Sequence, residues 1–456
     1  MNLRIVLAIS ACKLTRFVIR ALGRGGTALP GKIAIKICPD LLKRLAKDVE
    51  CVAITGTNGK TTSARMLEQF FIDSGASYFS NKSGSNLIQG ITAEFALNAT
   101  ATGKPKHGSA IIECDEGASK KVFEYMNPKL VLITNVFSDQ LDRFGDIKTV
   151  LESIKTGVRN SPNAVLCLNA DDPLTSTVAN DVPNRVVYFG VDKEIFESFE
   201  DEPKESANCS RCNAEYVYEY RTYGHLGGFN CPSCGYARKY PDIAVTGITA
   251  RNADSQTIEL RIHNKTTDIT ISLPGMYNIY NAAGVIAAAG ELGFSMDAAK
   301  DAMLRFECGF GRMEKLNLGN LPARIILVKN KIGCDQAINY ILGLSGDILL
   351  SICLNDRIAD GTDISWIEDV GFEKLPYIDE RLRGVFVAGT RANDMASRLR
   401  RAGLPDNLVH VFYDMDELLD AILKQESPVY IMPTYTAMLE LRIRIGRRFD
   451  IKKYWE

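Results

Sequence analysis

Short apolar or β-branched runs recur along the chain, separated by stretches of helical period. Cys51 to Thr55, Ser109 to Cys114, Leu130 to Asn135, Asn163 to Leu168 and Arg185 to Gly190 read as strands. Ser63 to Phe71 and Ile147 to Arg159 read as helices between them. Such alternation predicts a largely parallel sheet with helices on both faces, binding ligands beyond the carboxyl ends of its strands. Residues 197–240 break the pattern, being polar and turn-rich. From Ile243 to Leu273 the period falls to two, as in an antiparallel hairpin, and Pro274-Gly275 ends it before an alanine-rich helix, Ile279 to Leu292. A second α/β pattern starts near Ala323, with strands at Ile325–Val328, Ile348–Leu354, Gly384–Ala388, Leu408–Tyr413 and Val429–Pro433. This places a domain boundary near residues 313–322.

Leu3 to Leu22 is apolar but interrupted by Arg4, Lys13, Arg16 and Arg20. It falls short of the ~20 apolar residues a membrane span needs, and reads as an amphipathic helix packed on the first domain. Weak contact with a membrane surface is the lesser alternative.

Composition narrows the picture little. A length of 456 residues suits two or three domains, and 46 % hydrophobic with 24 % charged content is that of a globular protein. A net charge of −1 supplies no global field for nucleic acid or an anionic membrane. Of twelve cysteines, four form two C-x-x-C pairs and the rest are scattered singly. That usage suits a reducing compartment and a metal site better than a disulfide framework.

The most informative segment is Gly56-Thr57-Asn58-Gly59-Lys60-Thr61-Thr62, between a strand and a helix. A glycine-rich turn there lets backbone N–H groups close on an anion, with the helix N-terminus aimed at it. Lys60 can reach the outer phosphates of a nucleotide triphosphate, and Thr61 can offer its hydroxyl to Mg²⁺. The spacing is two residues shorter than the usual P-loop. Glu113, in the acid-rich strand end Glu113-Cys114-Asp115-Glu116, is the candidate Mg²⁺ carboxylate. Thr134 to Arg143 and Asn169-Ala170-Asp171-Asp172-Pro173 end two further strands, so polar groups converge at one sheet edge. Cys209, Cys212, Cys231 and Cys234 enclose an 18-residue spacer and fit a closed structural Zn²⁺ ribbon, with a redox dithiol pair as runner-up. Asn278 and Asn281 lie near a helix start, where capping is the plain alternative, and Arg312 lies at the domain junction, where it can reach phosphates or form a surface ion pair.

Together, GTNGKTT, ECDE, TNVFSDQLDRFG, NADDP, LPGMYNIYNAA and GRME resemble the Mur ligases, ATP-dependent ligases of peptidoglycan synthesis, over residues 50–315. LNDRIADGTDISWIED, GTRANDMASRLR, MPTYTAMLELR and the four-cysteine insert resemble their MurT subgroup. The resemblance implies an α/β fold: a Mur ligase central ATP-binding domain over 1–315, with a zinc-ribbon insert at about 205–238, then a smaller α/β domain over 316–456. It implies ATP-dependent amidation, through an acyl phosphate, of the α-carboxyl of D-glutamate in the lipid II stem peptide. The ammonia comes from a glutaminase subunit, GatD, and the reaction runs at the cytoplasmic face of the membrane. ATP, Mg²⁺ and structural Zn²⁺ are the implied cofactors. Lys60, Thr61 and Glu113 are implied at the phosphates and Mg²⁺, Asn278 and Asn281 near the adenine or ribose, and Arg312 near the phosphates.

Three departures accompany the resemblance. Asp139-Gln140 stands where many relatives have Asp-His, a metal ligand, which puts a second Mg²⁺ site and carbamylation of Lys155 in question. Lys329-Asn330-Lys331 replaces a tyrosine- and histidine-containing stretch, and only residues 1–50 precede the phosphate-loop unit, where ordinary Mur ligases carry a UDP-binding domain. None of His107, His225, His263 and His410 sits in a thiol–imidazole context, which puts glutamine hydrolysis on another chain. The resemblance suggests that an aspartate of the C-terminal domain completes the partner's Cys-His site: Asp356, with Asp360 and Asp363 as competitors. The alternatives are a folylpolyglutamate-synthase-like ligase and a P-loop zinc-ribbon protein that binds nucleic acid, the latter disfavoured by the lack of a basic stripe.

Overall fold

The computed structural model describes residues 3–21, 28–81, 85–137, 147–180, 182–193, 195, 208–307 and 311–451. Asp139, Gln140, Asp142 and Arg143 lie outside the described residues. The chain forms two units: Met1–Ser272 with Met276–Phe306, and Leu273–Gly275 with Glu307–Glu456.

The first unit is built on strands β1 (Glu50–Thr55), β2 (Tyr78–Ser80), β3 (Ser109–Glu113), β4 (Leu130–Ile133), β5 (Val165–Asn169) and β6 (Val186–Val191). After a small ribbon of β7 (Val217–Arg221) and β8 (Gly227–Asn230) come β9 (Ile243–Arg251), β10 (Gln256–Ile262) and β11 (Lys265–Ile271). The large sheet has the order β11-β10-β9-β6-β5-β4-β1-β3-β2. It is parallel from β2 to β9, and β9 pairs alongside β6. The period-two segment therefore forms three antiparallel strands that extend the parallel sheet, where a hairpin was expected. β4 is buried at every position, as expected of a parallel strand covered on both faces.

The helix Leu3–Ala21 precedes this sheet and packs through Ala8, Ile9 and Cys12 into the same core as Ile91, Phe95 and Ile112. Lys155 lies on the helix Ile147–Arg159.

The second unit opens with β12 (Arg312–Leu318) and β13 (Leu321–Ile326), followed by β14 (Ile348–Cys353), β15 (Leu382–Ala388), β16 (Val409–Val411) and β17 (Val429–Pro433). Its order is β12-β13-β17-β14-β15-β16, parallel except for β12. Ile325, Leu349, Leu418, Ile431 and Leu441 fill one side of it. Because β12 pairs with β13, the break between the units falls at 306/307, ahead of Arg312 rather than at 313–322. The GRME segment is organised around Glu314, whose carboxylate accepts from the Gly311 N–H at 2.7 Å and pairs with buried Arg442, the last residue of MPTYTAMLELR.

Candidate functional site

β1 delivers the chain into the loop Gly56–Gly59, and Lys60 starts the helix Lys60–Ser74. The turn requires glycine twice. Gly56 has φ +123°, and a Cβ there would lie 2.3 Å from Thr134 Oγ1; Gly59 has φ +87°, and a Cβ would lie 2.1 Å from Asn281 Oδ1. Both the backbone angle and the close neighbours exclude a side chain.

The end of β4 clamps this loop. The Thr57 N–H donates to the Asn135 carbonyl at 2.8 Å, and the Asn58 N–H to Asn135 Oδ1 at 2.9 Å. Asn135 Nδ2 and Thr134 Oγ1 both donate to the Asn58 carbonyl. The Thr57 hydroxyl donates to the Phe137 carbonyl at 3.2 Å and accepts from the Phe137 N–H at 2.9 Å. The loop is therefore held before any ligand arrives, which lowers the ordering cost of binding.

Lys60 is buried. Its ammonium donates to the Gly56 and Thr57 carbonyls and pairs with Glu116 at 3.2 Å. Thr61 Oγ1 donates to Glu113 Oε2 at 2.6 Å. These two oxygens lie nearly at the ~2.9 Å edge of an octahedron with ~2.1 Å bonds, so they fit two ligand positions of a Mg²⁺ that keeps water and phosphate on the others. Asn81 fixes Glu113 in place: Asn81 Nδ2 donates to the Glu113 carbonyl at 2.7 Å, and the Glu113 N–H donates to Asn81 Oδ1 at 2.9 Å.

Asn278 and Asn281 lie within the helix Met276–Glu291, both buried, and Asn281 Nδ2 donates to Asn278 Oδ1 at 3.3 Å. They do not cap the helix. Asn281 abuts Gly59, at the phosphate end of the loop. The structure thus gathers Gly56–Thr62, Glu113 and Asn281 in the first unit, while Arg312 and Asp356 belong to the second.

In the second unit Asp356 follows β14. Its carboxylate accepts from Thr390 Oγ1 at 2.9 Å and pairs with Arg391 at 3.2 Å. The Thr390 hydroxyl, then Arg391, hold it below the usual carboxylate range. The rivals are committed elsewhere: Asp360 is buried and accepts from the Thr436 N–H and hydroxyl, and Asp363 accepts from the Ser365 N–H and hydroxyl.

The four cysteines converge as free thiols with all sulfurs within 4.8 Å of one another; Cys209 and Cys234 are 3.6 Å apart, Cys212 and Cys231 3.4 Å. A tetrahedron with ~2.3 Å metal–sulfur bonds has edges of about 3.8 Å, so the set fits a closed thiolate site. Burial opposes ionisation of Cys209, but the Arg211 and Cys212 N–H groups prevail and bring its thiol down to about 6.

The ribbon docks on the NADDP turn. Arg238 Nε pairs with Asp171 at 2.6 Å, Tyr280 donates to the same carboxylate at 2.6 Å, and His225 Nε2 lies 3.1 Å from Asp172 Oδ1. Asp172 also accepts from the Val136 N–H, the Leu174 N–H and the Thr175 hydroxyl. The Phe137 ring stacks on Tyr223 and touches His225. Asn81, Glu116, Asn135, Asp172 and His225 were not singled out from the sequence. Glu116 and Asp172 lay in segments noted for their acids, and His225 sits in a glycine-flanked turn inside the insert. Asn81 carries no local signal.

The chain is similar to known proteins along nearly its whole length. The Mur ligase middle domain family matches residues 54–230, and the MurT ligase C-terminal family matches residues 327–438. The lipid II isoglutaminyl synthase (glutamine-hydrolyzing) subunit MurT of Streptococcus pneumoniae is 34% identical over 458 residues, covering 99% of each chain. Its Staphylococcus aureus (strain COL) counterpart is 32% identical over 446 residues, 97% of this chain and 98% of its own. Among solved structures, a pseudomurein peptide ligase from Methanothermus fervidus shares the fold, with TM-score 0.65 and 21% identity over 88% of this chain and 79% of that one. With identity sustained along essentially its whole length and both domain families in order, the chain belongs to the MurT family of Mur ligases.

Proposed function

We propose that this chain is the synthetase subunit of a glutamine-hydrolysing lipid II isoglutaminyl synthase. ATP transfers its γ-phosphoryl group to the α-carboxylate of D-glutamate in the stem peptide, releasing ADP. Ammonia then attacks the acyl carbon, phosphate leaves, and the amide of D-isoglutamine remains. The observation that carries this reading is a clamped phosphate loop, with Lys60 and the Thr61–Glu113 pair, in a chain that is 34% identical to a MurT subunit along 99% of its length.

The proposed roles are these. Backbone N–H groups of the loop and the helix start receive the phosphates. Lys60 exchanges Glu116 for phosphate oxygens as charge builds on the transferring group. Thr61 and Glu113 would hold Mg²⁺, which neutralises charge on the phosphate oxygens. Asn281, beside Gly59, keeps the loop at its working distance from the helix Met276–Glu291. Arg312 is assigned to the phosphates and Asn278 to the nucleoside. Cys209, Cys212, Cys231 and Cys234 are assigned to one structural Zn²⁺.

The ammonia source is a partner glutaminase, GatD, and the substrate is membrane-anchored. Among the described residues no helix is long and apolar enough to cross a membrane; ATP use puts the reaction at the cytoplasmic face. The decisive experiment supplies the purified chain with lipid II, ATP and ammonium, and follows stem-peptide amidation by mass. Amidation that requires ATP is the expected result; ligation of an amino acid in its place would favour a folylpolyglutamate-synthase-like ligase.

Asp356 is assigned to the glutaminase site, where an anion would orient and stabilise the partner's imidazolium. Partial exposure supports this over buried Asp360, and long-range anchoring to Thr390 and Arg391 supports it over Asp363, which bonds Ser365 two residues on. Asp356→Asn should lower glutamine-dependent amidation by about 10²-fold or more and leave ammonium-dependent amidation within about twofold. Equal loss with both nitrogen sources would remove Asp356 from that role.

A further inference from the structure

The N-terminal helix Leu3–Ala21 has two unlike faces. Ala8, Ile9 and Cys12 are fully buried against the first unit, and Lys13 Nζ donates to the Ala99 carbonyl. The opposite side is apolar and bare: Leu3 is 66%, Leu7 51%, Leu14 64%, Phe17 71% and Val18 46% exposed. At 3.6 residues per turn these five positions, with exposed Ser10 and Ala21, fall within an arc of about 100°. Arg4 and Arg20 border that arc on its two sides. Leu29, 51% exposed, and the exposed Lys32 and Lys36 continue the character on the helix Ala28–Ile37, which packs beside it.

Charge separates this region from the rest of the chain. Described residues 3–21 and 28–39 contain Arg4, Lys13, Arg16, Arg20, Lys32 and Lys36 and no Asp or Glu, although the whole chain has a net charge of −1. The near-neutral total conceals a basic end. An apolar stripe edged by cations, on a helix that cannot span, has the build of an interfacial element. A protein partner would satisfy the apolar stripe, but nothing in an ordinary polar rim calls for cations alone along both edges.

We propose that the helix Leu3–Ala21 lies in the surface of an anionic bilayer, with Leu3, Leu7, Leu14, Phe17 and Val18 at the headgroup–acyl boundary and Arg4 and Arg20 on lipid phosphates. One helix of this kind binds weakly and reversibly, as suits an enzyme that must move between substrate molecules. The membrane contact stands on the helix alone; its consequence, presentation of the first unit to a lipid-linked substrate, rests on the amidation reading.

The test uses the full chain with vesicles that contain no lipid II, one set of phosphatidylcholine and one of phosphatidylcholine and phosphatidylglycerol in equal parts. Sedimentation should show binding to the anionic set, weakened by salt. Leu14→Glu/Phe17→Glu should reduce it by about tenfold or more. Arg4→Gln/Arg20→Gln should reduce it by about fivefold per charge at low salt, from ~1 kcal/mol for each cation near such a surface. Leu14, Phe17 and Arg20 are solvent-facing, so Leu14→Glu/Phe17→Glu should keep the parent Tm, and both variants the parent rate on a lipid-free stem-peptide substrate, while turnover of vesicle-borne lipid II falls. Absence of binding to anionic vesicles, or equal binding by Leu14→Glu/Phe17→Glu, would overturn the proposal. So would a dimeric parent that these substitutions make monomeric, since the stripe would then be a protein interface. Loss of amidation in detergent with membrane binding intact would instead count against the enzymatic reading alone.

Discussion

Lys60→Met is expected to lower ammonium-dependent amidation by about 10³-fold, with a lower Tm because the little-exposed Glu116 carboxylate loses the Lys60 cation. The methionine keeps the length and apolar character of a stem that is buried, and removes only the ammonium. Without nucleotide that ammonium is held by the Gly56 and Thr57 carbonyls and by Glu116. During phosphoryl transfer it is the cation best placed to follow the growing charge, and loss of one such preorganised donor typically costs about 3–4 kcal/mol of transition-state stabilisation. A second effect runs alongside: the Glu116 carboxylate, little exposed, loses its counterion. Lys60→Met/Glu116→Gln separates the two. If the defect is the absent charge on phosphate, the double variant stays inactive; if it is the stranded carboxylate, activity returns. Parent-like kcat in the single variant would remove Lys60 from the mechanism.

Disruption of the four-cysteine cluster should weaken the nucleotide site although the cluster contributes nothing to it directly. Metal analysis should find about one zinc per chain, as one closed four-thiolate site requires. Cys231 is fully buried, and Cys231→Ser should unfold the ribbon, because metal binding and folding are one equilibrium in so small a module. The ribbon loop around His225 then leaves Asp172 and Phe137. Phe137 is the residue whose N–H and carbonyl engage the Thr57 hydroxyl, and Asp172 holds the Val136 N–H. The KM for ATP should rise about tenfold, the effect of ~1.4 kcal/mol of lost preorganisation, with a smaller change in kcat.

His225→Ala makes the sharper variant, since it leaves the thiols in place. It takes away a buried partner of a buried carboxylate, at a cost of about 3 kcal/mol. It also changes the response to acid. Burial opposes ionisation of Asp172, but His225 and the hydrogen bonds from Thr175 and Val136 outweigh it, so the carboxyl titrates below the usual carboxylate range. A depressed carboxyl contributes stability above its unfolded pKa and loses it as pH falls through the folded one. Without His225 burial is opposed only by the remaining hydrogen bonds, the folded pKa rises, and this contribution shrinks or reverses, so the variant's Tm should fall less on acidification than the parent's. A parent-like ATP KM in both Cys231→Ser and His225→Ala would show that the ribbon does not support the loop.

Much of this molecule was legible in the order of its residues. GTNGKTT between a strand run and a helix run announces a phosphate loop because the chemistry is local: a turn that needs glycine, then a lysine and a hydroxyl in fixed succession. Two C-x-x-C pairs announce a four-cysteine cluster for the same reason, and most strand runs overlap their observed positions, although β2 and β12 carried no run and β13 starts four residues before Ile325. Near-neutral charge hid a basic end, since a sum over the chain discards position.

The sequence by itself determined the local motifs, the α/β alternation and the family resemblance, because each rests on spacing within a few residues or on period. Only the tertiary structure decided what those motifs touch. Asn81 meets Glu113 across 32 residues, Asn281 meets Gly59 across more than two hundred, and His225 meets Asp172 from inside an insert. Arg312 lies in the second unit because β12 pairs with β13, which period alone cannot distinguish from a linker. Which face of the N-terminal helix is bare was likewise undecided, since both faces are apolar in sequence and only the packing against the first unit selects Ala8, Ile9 and Cys12 for the core. Contacts between distant segments depend on how strands are ordered in the sheet, and no local pattern encodes that order.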